Sequence, residues 1–244
     1  MEPVKSYREV HVGCGMGRRY DDLIGGKVDA LIWERFVRPY LMEIFVDAAE
    51  KGARRYLDFA CGTGRILLEG ATIFPEVFGV DISEDMLAVA RQRVPQAQII
   101  QTDVTREPDA VQGNFDCVTL FRFLLNAEAP LRREVLGWLS DHMQRGALLI
   151  GNLHMYTYSV SGLATVLARA VSARSVNHDS RRQIELILNE AGFKVKEWRG
   201  YRVLPTLRGQ APFGNRMQVL GERALTSFGL GRFGCEHLFV AVRN

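Results

Sequence analysis

The sequence predicts a doubly wound α/β fold built on one mostly parallel sheet. From residue 54 onward, short apolar runs alternate with helical patterns, which is typical of consecutive strand–helix–strand units. The first run ends in a glycine turn at residues 61–64, and acidic residues follow the next two runs at Asp81 and Asp103. Such residues at strand ends are typical of the ligand-binding edge of an open α/β sheet.

Seven strands are predicted in chain order. Five of them fall between residues 54 and 153, and two closing strands follow a further helix. Each is a short, mainly apolar run bounded by turn residues. The predicted strands cover residues 55–60, 77–81, 98–102, 115–120, 147–153, 193–198 and 237–242.

The helices are predicted from apolar spacing and from signals at their ends. Ser83 stands as an N-cap before residues 84–94, and acidic residues in that first turn favour a helix N-terminus. Apolar residues at helical spacing mark residues 131–143, and Ser180 opens a capping box. Further helices are predicted over residues 28–49, 65–73 and 162–173.

We expect a single domain, because no linker-like stretch and no internal repeat interrupts the 244 residues. Residues 1–53 form a helical cap in this interpretation, and residues 54–154 form the core of the sheet. An insertion or lid follows at residues 155–179. Residues 180–244 supply the last helix and the closing strands.

Charge and cysteine content restrict the possible partners. The chain carries 31 Lys and Arg against 28 Asp and Glu, a net charge of +3 without a basic stripe, so no nucleic-acid partner is expected. The four cysteines are far apart, which favours reduced thiols over a disulfide framework or a zinc site. No apolar leader or membrane-spanning run is visible, and we expect a cytoplasmic protein.

The glycine turn after the first strand predicts a ligand site. Glycine lets the backbone turn sharply and approach a ligand, and the N-terminus of the next helix offers free N–H donors. Leu67 stands where a dinucleotide fingerprint would have its third glycine, which disfavours a nicotinamide oxidoreductase without excluding it. Asp81 follows Gly64 by 17 residues, near the spacing at which an acidic residue reaches a ribose hydroxyl.

Three segments together resemble the motifs of the class I S-adenosylmethionine-dependent methyltransferases. They are residues 57–64, residues 79–87 and residues 103–104, within a similarity that spans residues 56–153. The resemblance implies a Rossmann-like, doubly wound sheet of seven strands with an antiparallel last strand, a helical lead-in and a helical insertion after strand five. It also implies S-adenosyl-L-methionine as cofactor and S-adenosyl-L-homocysteine as product. Asp58 is expected to order the turn rather than contact the ligand.

The resemblance further implies roles at the methionine end of the cofactor. The backbone of Ala60, Gly62 and Gly64 would face the methionine. Phe121, just past the fourth strand, would lie under the sulfonium. Tyr20 would cover the methionine from the N-terminal segment.

At the adenosine end, the resemblance implies that Asp81 holds the ribose hydroxyls. Ile82 and Met86 would lie against the adenine, although Met86 also fits simple core packing. Asp103 would accept a hydrogen bond from the adenine amino group, with Val104 beside it. An alternative for Asp81 is a helix N-terminal acid, as on any doubly wound sheet.

Methyl transfer from a sulfonium is an in-line displacement that needs alignment and, for a hydroxyl acceptor, a base. His154 follows the fifth strand at the ligand-binding edge and is the candidate base, with a substrate contact or a structural role as the alternative. Trp33, Tyr156 and Tyr158 are expected to line the acceptor pocket. No metal is expected, because no Asp-Asn pair follows Asp103 in the pattern of magnesium-dependent relatives.

The predicted function is therefore transfer of a methyl group to a small-molecule acceptor, at a hydroxyl of a natural product or a sugar-like compound. Four alternatives remain open at this point. They are N-methylation of a small molecule, methylation of RNA or protein, a catalytically silent scaffold that binds an adenosyl ligand, and a nicotinamide oxidoreductase.

Overall fold

The computed structural model describes residues 7–8, 27–153, 159, 180–205, 211 and 214–244. Within them, seven strands form one sheet in the order β3-β2-β1-β4-β5-β7-β6. The strands are β1 (Arg55–Phe59), β2 (Glu76–Asp81), β3 (Gln98–Gln101), β4 (Phe115–Leu120), β5 (Met143–Leu153), β6 (Phe193–Tyr201) and β7 (Glu236–Arg243).

The direction of the strands agrees with the predicted topology. Strands β3, β2, β1, β4 and β5 pair in parallel, and β7 runs antiparallel between β5 and β6. The strand order reverses between β1 and β4, and open α/β sheets bind ligands in the crevice outside the carboxyl ends of the strands at such a switch point. The fold thus directs attention to the loops after β1 and β4.

Eight α-helices surround the sheet within the described residues. A π-helical turn, Trp33–Val37, connects the first two of them. The helices are α1 (Lys27–Ile32), α2 (Arg38–Glu50), α3 (Arg65–Gly70), α4 (Glu84–Arg93), α5 (Phe123–Asn126), α6 (Ala129–Asp141), α7 (Arg181–Glu190) and α8 (Asn215–Ser227).

Two apolar cores cover the two faces of the sheet. One contains buried residues of α6 and α7 packed against the sheet, and the other contains buried residues of α2 and α3. Phe115 and Phe239 are fully buried in the first core, while Phe45 and Tyr56 are fully buried in the second. Helices on both faces define a doubly wound fold, so the predicted fold class is confirmed.

The helix ends confirm one predicted cap and correct another. Ser180 makes both hydrogen bonds of its capping box with Gln183. Ser83 occupies the N-cap position of α4, but its side chain makes no capping hydrogen bond. Its backbone N–H instead donates to Asp81 Oδ1 at 2.9 Å, so the carboxylate of the preceding strand organises this helix start.

Some elements differ from the prediction. Helix α8 was not expected, because Gly221 in its middle lowers helix propensity. A Cβ there would stand 2.7 Å from Leu204 Cδ1, so tertiary packing uses the missing side chain. The helical insertion predicted at residues 162–173 lies outside the described residues. Among the helices that are described, none has both the length and the apolar character to cross a membrane.

Candidate functional site

The backbone after β1 folds sharply through the glycine turn. Ala60, Gly62 and Gly64 have φ values of 55°, 53° and 77°, in the left-handed region. Glycine adopts this region without strain, whereas an L-residue such as Ala60 pays roughly 1–2 kcal/mol. The turn therefore holds the backbone in a specific shape at the switch point of the sheet.

Asp81 at the end of β2 anchors this turn. Its Oδ2 accepts a hydrogen bond from Gly62 N at 2.9 Å, and its Oδ1 accepts one from Ser83 N at the same distance. A carboxylate has about four lone-pair sites, so it can accept these two backbone bonds together with further hydrogen bonds. Its position also lets it line a cavity at the strand ends.

A first cavity, here the narrow cavity, lies at the carboxyl ends of β1, β2 and β3. It measures about 30 Å³, close to the space of one water molecule. Tyr7 and Arg8, from the N-terminal segment, form part of its wall, and the Tyr7 ring meets Phe123 edge-on at 5.3 Å. The residues predicted to surround adenosine that line it are Asp81, Ile82, Asp103 and Val104.

Arg8 forms a hydrogen-bonded ion pair with the carboxylate of Asp103. Arg8 Nε donates to Asp103 Oδ2 at 2.7 Å, and Arg8 Nη2 donates to Thr105 Oγ1 at 2.6 Å. Thr105 itself donates to Asp103 Oδ1 through its backbone N and its hydroxyl. Burial acts to raise the pKa of Asp103, but the hydrogen bonds from Arg8 and Thr105 outweigh it and lower the pKa below its ordinary value.

A second cavity, here the wide cavity, opens on the other side of Ala60. It measures about 500 Å³, within the range of small-molecule sites. Ala60 lines both cavities, so the two lie next to each other at the end of β1, a place here called their junction. Its walls come from the π-helical turn and the ends of β1, β4, β5 and β6, together with the start of β7. They include Trp33, Asp58, Gly62, Phe121, Tyr201 and Glu236.

Asp58 is a buried acid at the floor of the wide cavity. Its side chain is 1% exposed, and Oδ1 accepts a hydrogen bond from Thr119 Oγ1 at 2.7 Å. Its Oδ2 is buried without a hydrogen bond to any described residue. Burial raises the pKa of Asp58 to about 7, although the bond from Thr119 acts in the opposite direction. The Asp58 side chain thus bonds Thr119 on β4, and its role in ordering the turn stays a prediction.

Two arginines at the wide cavity have a left-handed backbone conformation, as Ala60 does. Arg122 has a φ of 58° and Arg202 a φ of 62°. Arg202 forms ion pairs with Asp29 at 2.8 Å and with Glu236. Residues with positive φ other than glycine are uncommon, and their clustering at one cavity marks it as a functional site.

Two predicted cofactor contacts lie outside the walls of both cavities. Gly64 begins α3, and a Cβ there would stand 3.2 Å from the backbone of Ala90, so this glycine lets α3 approach α4. Met86 is buried, and its Sδ lies 3.4 Å from the point where a Cβ on Gly62 would stand. Gly64 therefore allows the two helices to pack closely, and Met86 packs against the glycine turn.

The remaining predicted site residues divide into two groups. Phe121 and Trp33 line the wide cavity, and the Arg65 guanidinium lies 4.2 Å above the Trp33 ring. Tyr20, His154, Tyr156 and Tyr158 lie outside the described residues, and their roles stay predictions. No group of three His, Cys, Asp or Glu side chains able to hold a metal is found in the described ranges.

The sequence reasoning missed several residues of the two cavities, among them Tyr7, Arg8, Arg122 and Arg202. Arg122 directly follows β4, so the strand-end rule that identified Asp81 could also have identified it. Tyr7, Arg8 and Arg202 carry no comparable local signal.

Comparison with known proteins identifies the domain. Residues 57–146 match a family described as a methyltransferase domain. A demethylmenaquinone methyltransferase of Beutenbergia cavernae is 27% identical over 219 residues, covering 79% of this chain and 85% of that protein. A dTDP-3-amino-3,6-dideoxy-alpha-D-glucopyranose N,N-dimethyltransferase of Streptomyces fradiae is 46% identical over 137 residues, covering 53% and 52%.

Other curated relatives match over shorter parts of their length. Matches to methyltransferase relatives from Geobacillus sp. and Bacillus subtilis span 49% and 29% of those proteins, so the chain covers half of them or less. Among solved structures, the magnesium protoporphyrin IX methyltransferase of Synechocystis with bound S-adenosylmethionine covers 100% of both chains at 15% identity, with a TM-score of 0.63. That likeness supports the fold.

The matched domain begins in β1 and ends in β5. It thus contains the glycine turn and both acidic strand ends on which the resemblance rested. Residues 57–146 of the chain therefore match a methyltransferase domain, as the resemblance of the sequence motifs implied.

Proposed function

We propose that this protein transfers a methyl group from S-adenosylmethionine to a small-molecule acceptor. The observation that carries the proposal is the junction of two cavities at Ala60, between the glycine turn and Asp81. Solved structures with a similar fold contain bound S-adenosylmethionine or S-adenosylhomocysteine. One cavity contains the residues expected around adenosine, and the other has the volume of a small-molecule site.

The residues present fit the two ends of this cofactor. Asp81 and Ile82 line the narrow cavity, where a ribose and an adenine would lie. Beyond Ala60, the buried Oδ2 of Asp58 has no hydrogen bond to a described residue, and a carboxylate at that place matches the ammonium of the methionine. Gly62 lines the wide cavity beside Ala60.

Entry of the adenine requires movement of the N-terminal segment. A cavity of about 30 Å³ has no room for a purine ring, and Arg8 already binds the carboxylate that the adenine amino group is expected to use. We therefore infer that Arg8 releases Asp103, and that Tyr7 moves with it, when the cofactor binds. This exchange costs the free energy of the Arg8–Asp103 pair.

The protein's contribution to transfer is alignment and exclusion of water. When bound, the cofactor supplies an electrophilic methyl group on a positively charged sulfur. Phe121 and Trp33 provide apolar walls of the wide cavity, and fixing two reactants in line is worth about 7–11 kcal/mol of the barrier. His154, as the predicted base, would take the proton of a hydroxyl acceptor.

An amine is the second candidate for the acceptor atom, beside the predicted hydroxyl. The Streptomyces fradiae relative, by its name, is an aminosugar N,N-dimethyltransferase. Glu34 is among the acids that line the wide cavity, and its carboxylate would favour a cationic amine. An amine needs to lose its own proton before transfer, so amine and hydroxyl acceptors differ in the pH dependence of methyl transfer.

The cytoplasmic location and the cap and lid roles of residues 1–53 and 155–179 stay predictions.

Labelled methyl transfer tests this proposal. The protein would be incubated with tritiated S-adenosylmethionine and with matched pairs of hydroxy and amino sugars, their nucleotide conjugates, RNA and protein. We expect label in a small molecule. Binding of S-adenosylhomocysteine without transfer to any acceptor would support the silent scaffold instead, and label in RNA or protein would replace the proposed acceptor class.

A further inference from the structure

Arg122 differs from the other arginines of the wide cavity in having a guanidinium without a partner. No hydrogen bond or ion pair joins it to any residue that the structure describes. By contrast, Arg202 is paired with two acids, and Arg93 donates to the Thr63 backbone at 2.8 Å. We propose that Arg122 binds a carboxylate or a phosphate of the acceptor, an inference that rests on the proposed function.

The backbone at Arg122 is held in a strained conformation from two sides. Its N–H donates to Asn152 Oδ1 at 2.7 Å, and its carbonyl oxygen accepts from Asn126 Nδ2 at 2.6 Å. Asn152 is 4% exposed on β5, so it is a fixed support. A left-handed L-residue costs roughly 1–2 kcal/mol, and neighbours that over-determine such a residue are typical of ligand sites.

The strained backbone places Arg122 where an acceptor would lie. It follows Phe121 directly at the end of β4 and lines the wide cavity with Tyr201. Burial raises the pKa of Tyr201 well above its ordinary value, and the positive charge of Arg122 acts against that rise. The guanidinium is thus within electrostatic reach of the buried phenol, and both residues line the same cavity.

The chemistry of guanidinium specifies the ligand class. Its planar set of five donors matches a carboxylate or a phosphate in a two-point hydrogen bond. Asp29 and Glu236 are held by Arg202, so they do not neutralise Arg122. The Arg122 guanidinium, unpaired among the described residues, would thus bind an acceptor that carries an anionic group beside the atom to be methylated. Arg122 then determines specificity through acceptor binding.

Anion binding to the cofactor-loaded protein tests this inference. Protein saturated with S-adenosylhomocysteine would be titrated calorimetrically, at constant ionic strength, with two matched pairs: dTDP against thymidine, and succinate against succinamide. The pairs separate a phosphate from a carboxylate. We expect the wild type to bind at least one anion more tightly than its neutral partner, and Arg122→Gln to weaken that binding by about tenfold or more.

Two further variants separate binding from folding. Arg145 is exposed on β5 away from both cavities, so Arg145→Gln removes the same charge and should leave anion affinity unchanged. Arg122→Gly relieves the left-handed strain, so it should keep or raise the melting temperature while losing anion binding.

The outcomes are distinguishable from failure of the proposed function. If S-adenosylhomocysteine binds but neither anion binds better than its neutral partner, the role of Arg122 is refuted while the methyltransferase proposal stands. Equal anion affinity in Arg122→Gln and wild type would refute it too. If S-adenosylhomocysteine does not bind to the wild type, the proposed function itself fails.

Discussion

Removal of the Arg8 side chain should strengthen the binding of S-adenosylhomocysteine. In the structure Arg8 holds Asp103 with an Nε–Oδ2 distance of 2.7 Å, and the two side chains are 33% and 19% exposed. Exposed ion pairs contribute about 0.2–1 kcal/mol, and hydrogen bonds to charged groups about 1.5–3 kcal/mol. For this partly exposed pair about 1 kcal/mol is appropriate, so Arg8→Ala should tighten binding by roughly fivefold.

Isothermal titration calorimetry at low salt measures this change, with Arg106→Ala as the matched control. Arg106 also approaches Asp103 Oδ2, at 3.5 Å, but it is 73% exposed and outside the narrow cavity. Its removal should change the affinity by less than about twofold. Weaker binding by Arg8→Ala would mean that Arg8 holds the cofactor, and unchanged binding would mean that the pair stays intact. Either result would refute the exchange of Arg8 for adenine.

Three further predictions concern Asp58, Asp81 and His154. Burial raises the pKa of Asp58 from 3.8 to about 7, so the folded protein keeps a proton there that the unfolded chain releases between these values. The stability of the wild type relative to Asp58→Asn should therefore fall as the pH rises from about 4 to about 7, which urea unfolding checks; a constant difference would contradict it. Asp81→Ala removes the acceptor of two backbone hydrogen bonds and the expected ribose ligand, so the affinity for S-adenosylhomocysteine should fall about tenfold or more, and unchanged affinity would remove its ribose role. With a hydroxyl acceptor, His154→Ala should lower kcat at neutral pH by about 100-fold or more, whereas near-normal turnover would exclude His154 as the base.

The sheet and the adenosine side of the site could be predicted because their signals are local. An apolar run, a glycine turn and an acid at the strand end all lie within a few residues of one another, and the topology of parallel strands brings the strand ends to one edge. Asp81 and Asp103 accordingly line the narrow cavity together. Gly64 and Met86 were expected at the cofactor because they belong to the same motifs. Their packing contacts near the turn depend on how α3 and α4 pack, which the motifs do not indicate.

The rest depends on contacts between distant parts of the chain. Arg8 and Asp103 are 95 residues apart, and nothing near either residue indicates the pair. The backbone N–H of Arg122 is held by Asn152, 30 residues further along on β5. Helix α8 contains Gly221 in its middle, and a Cβ there would stand 2.7 Å from Leu204 Cδ1, a contact that the low helix propensity of glycine does not indicate. Tertiary contacts of this kind leave no periodic pattern in the sequence.

The central claim is that the junction of the two cavities binds an adenosyl ligand, and comparison of S-adenosylhomocysteine with NADH tests it most directly. At about 1 mM ligand, S-adenosylhomocysteine should raise the melting temperature of the wild type, because a ligand that binds only the folded state stabilises it, and NADH should not. No stabilisation by S-adenosylhomocysteine, or stabilisation by NADH alone, would contradict the account.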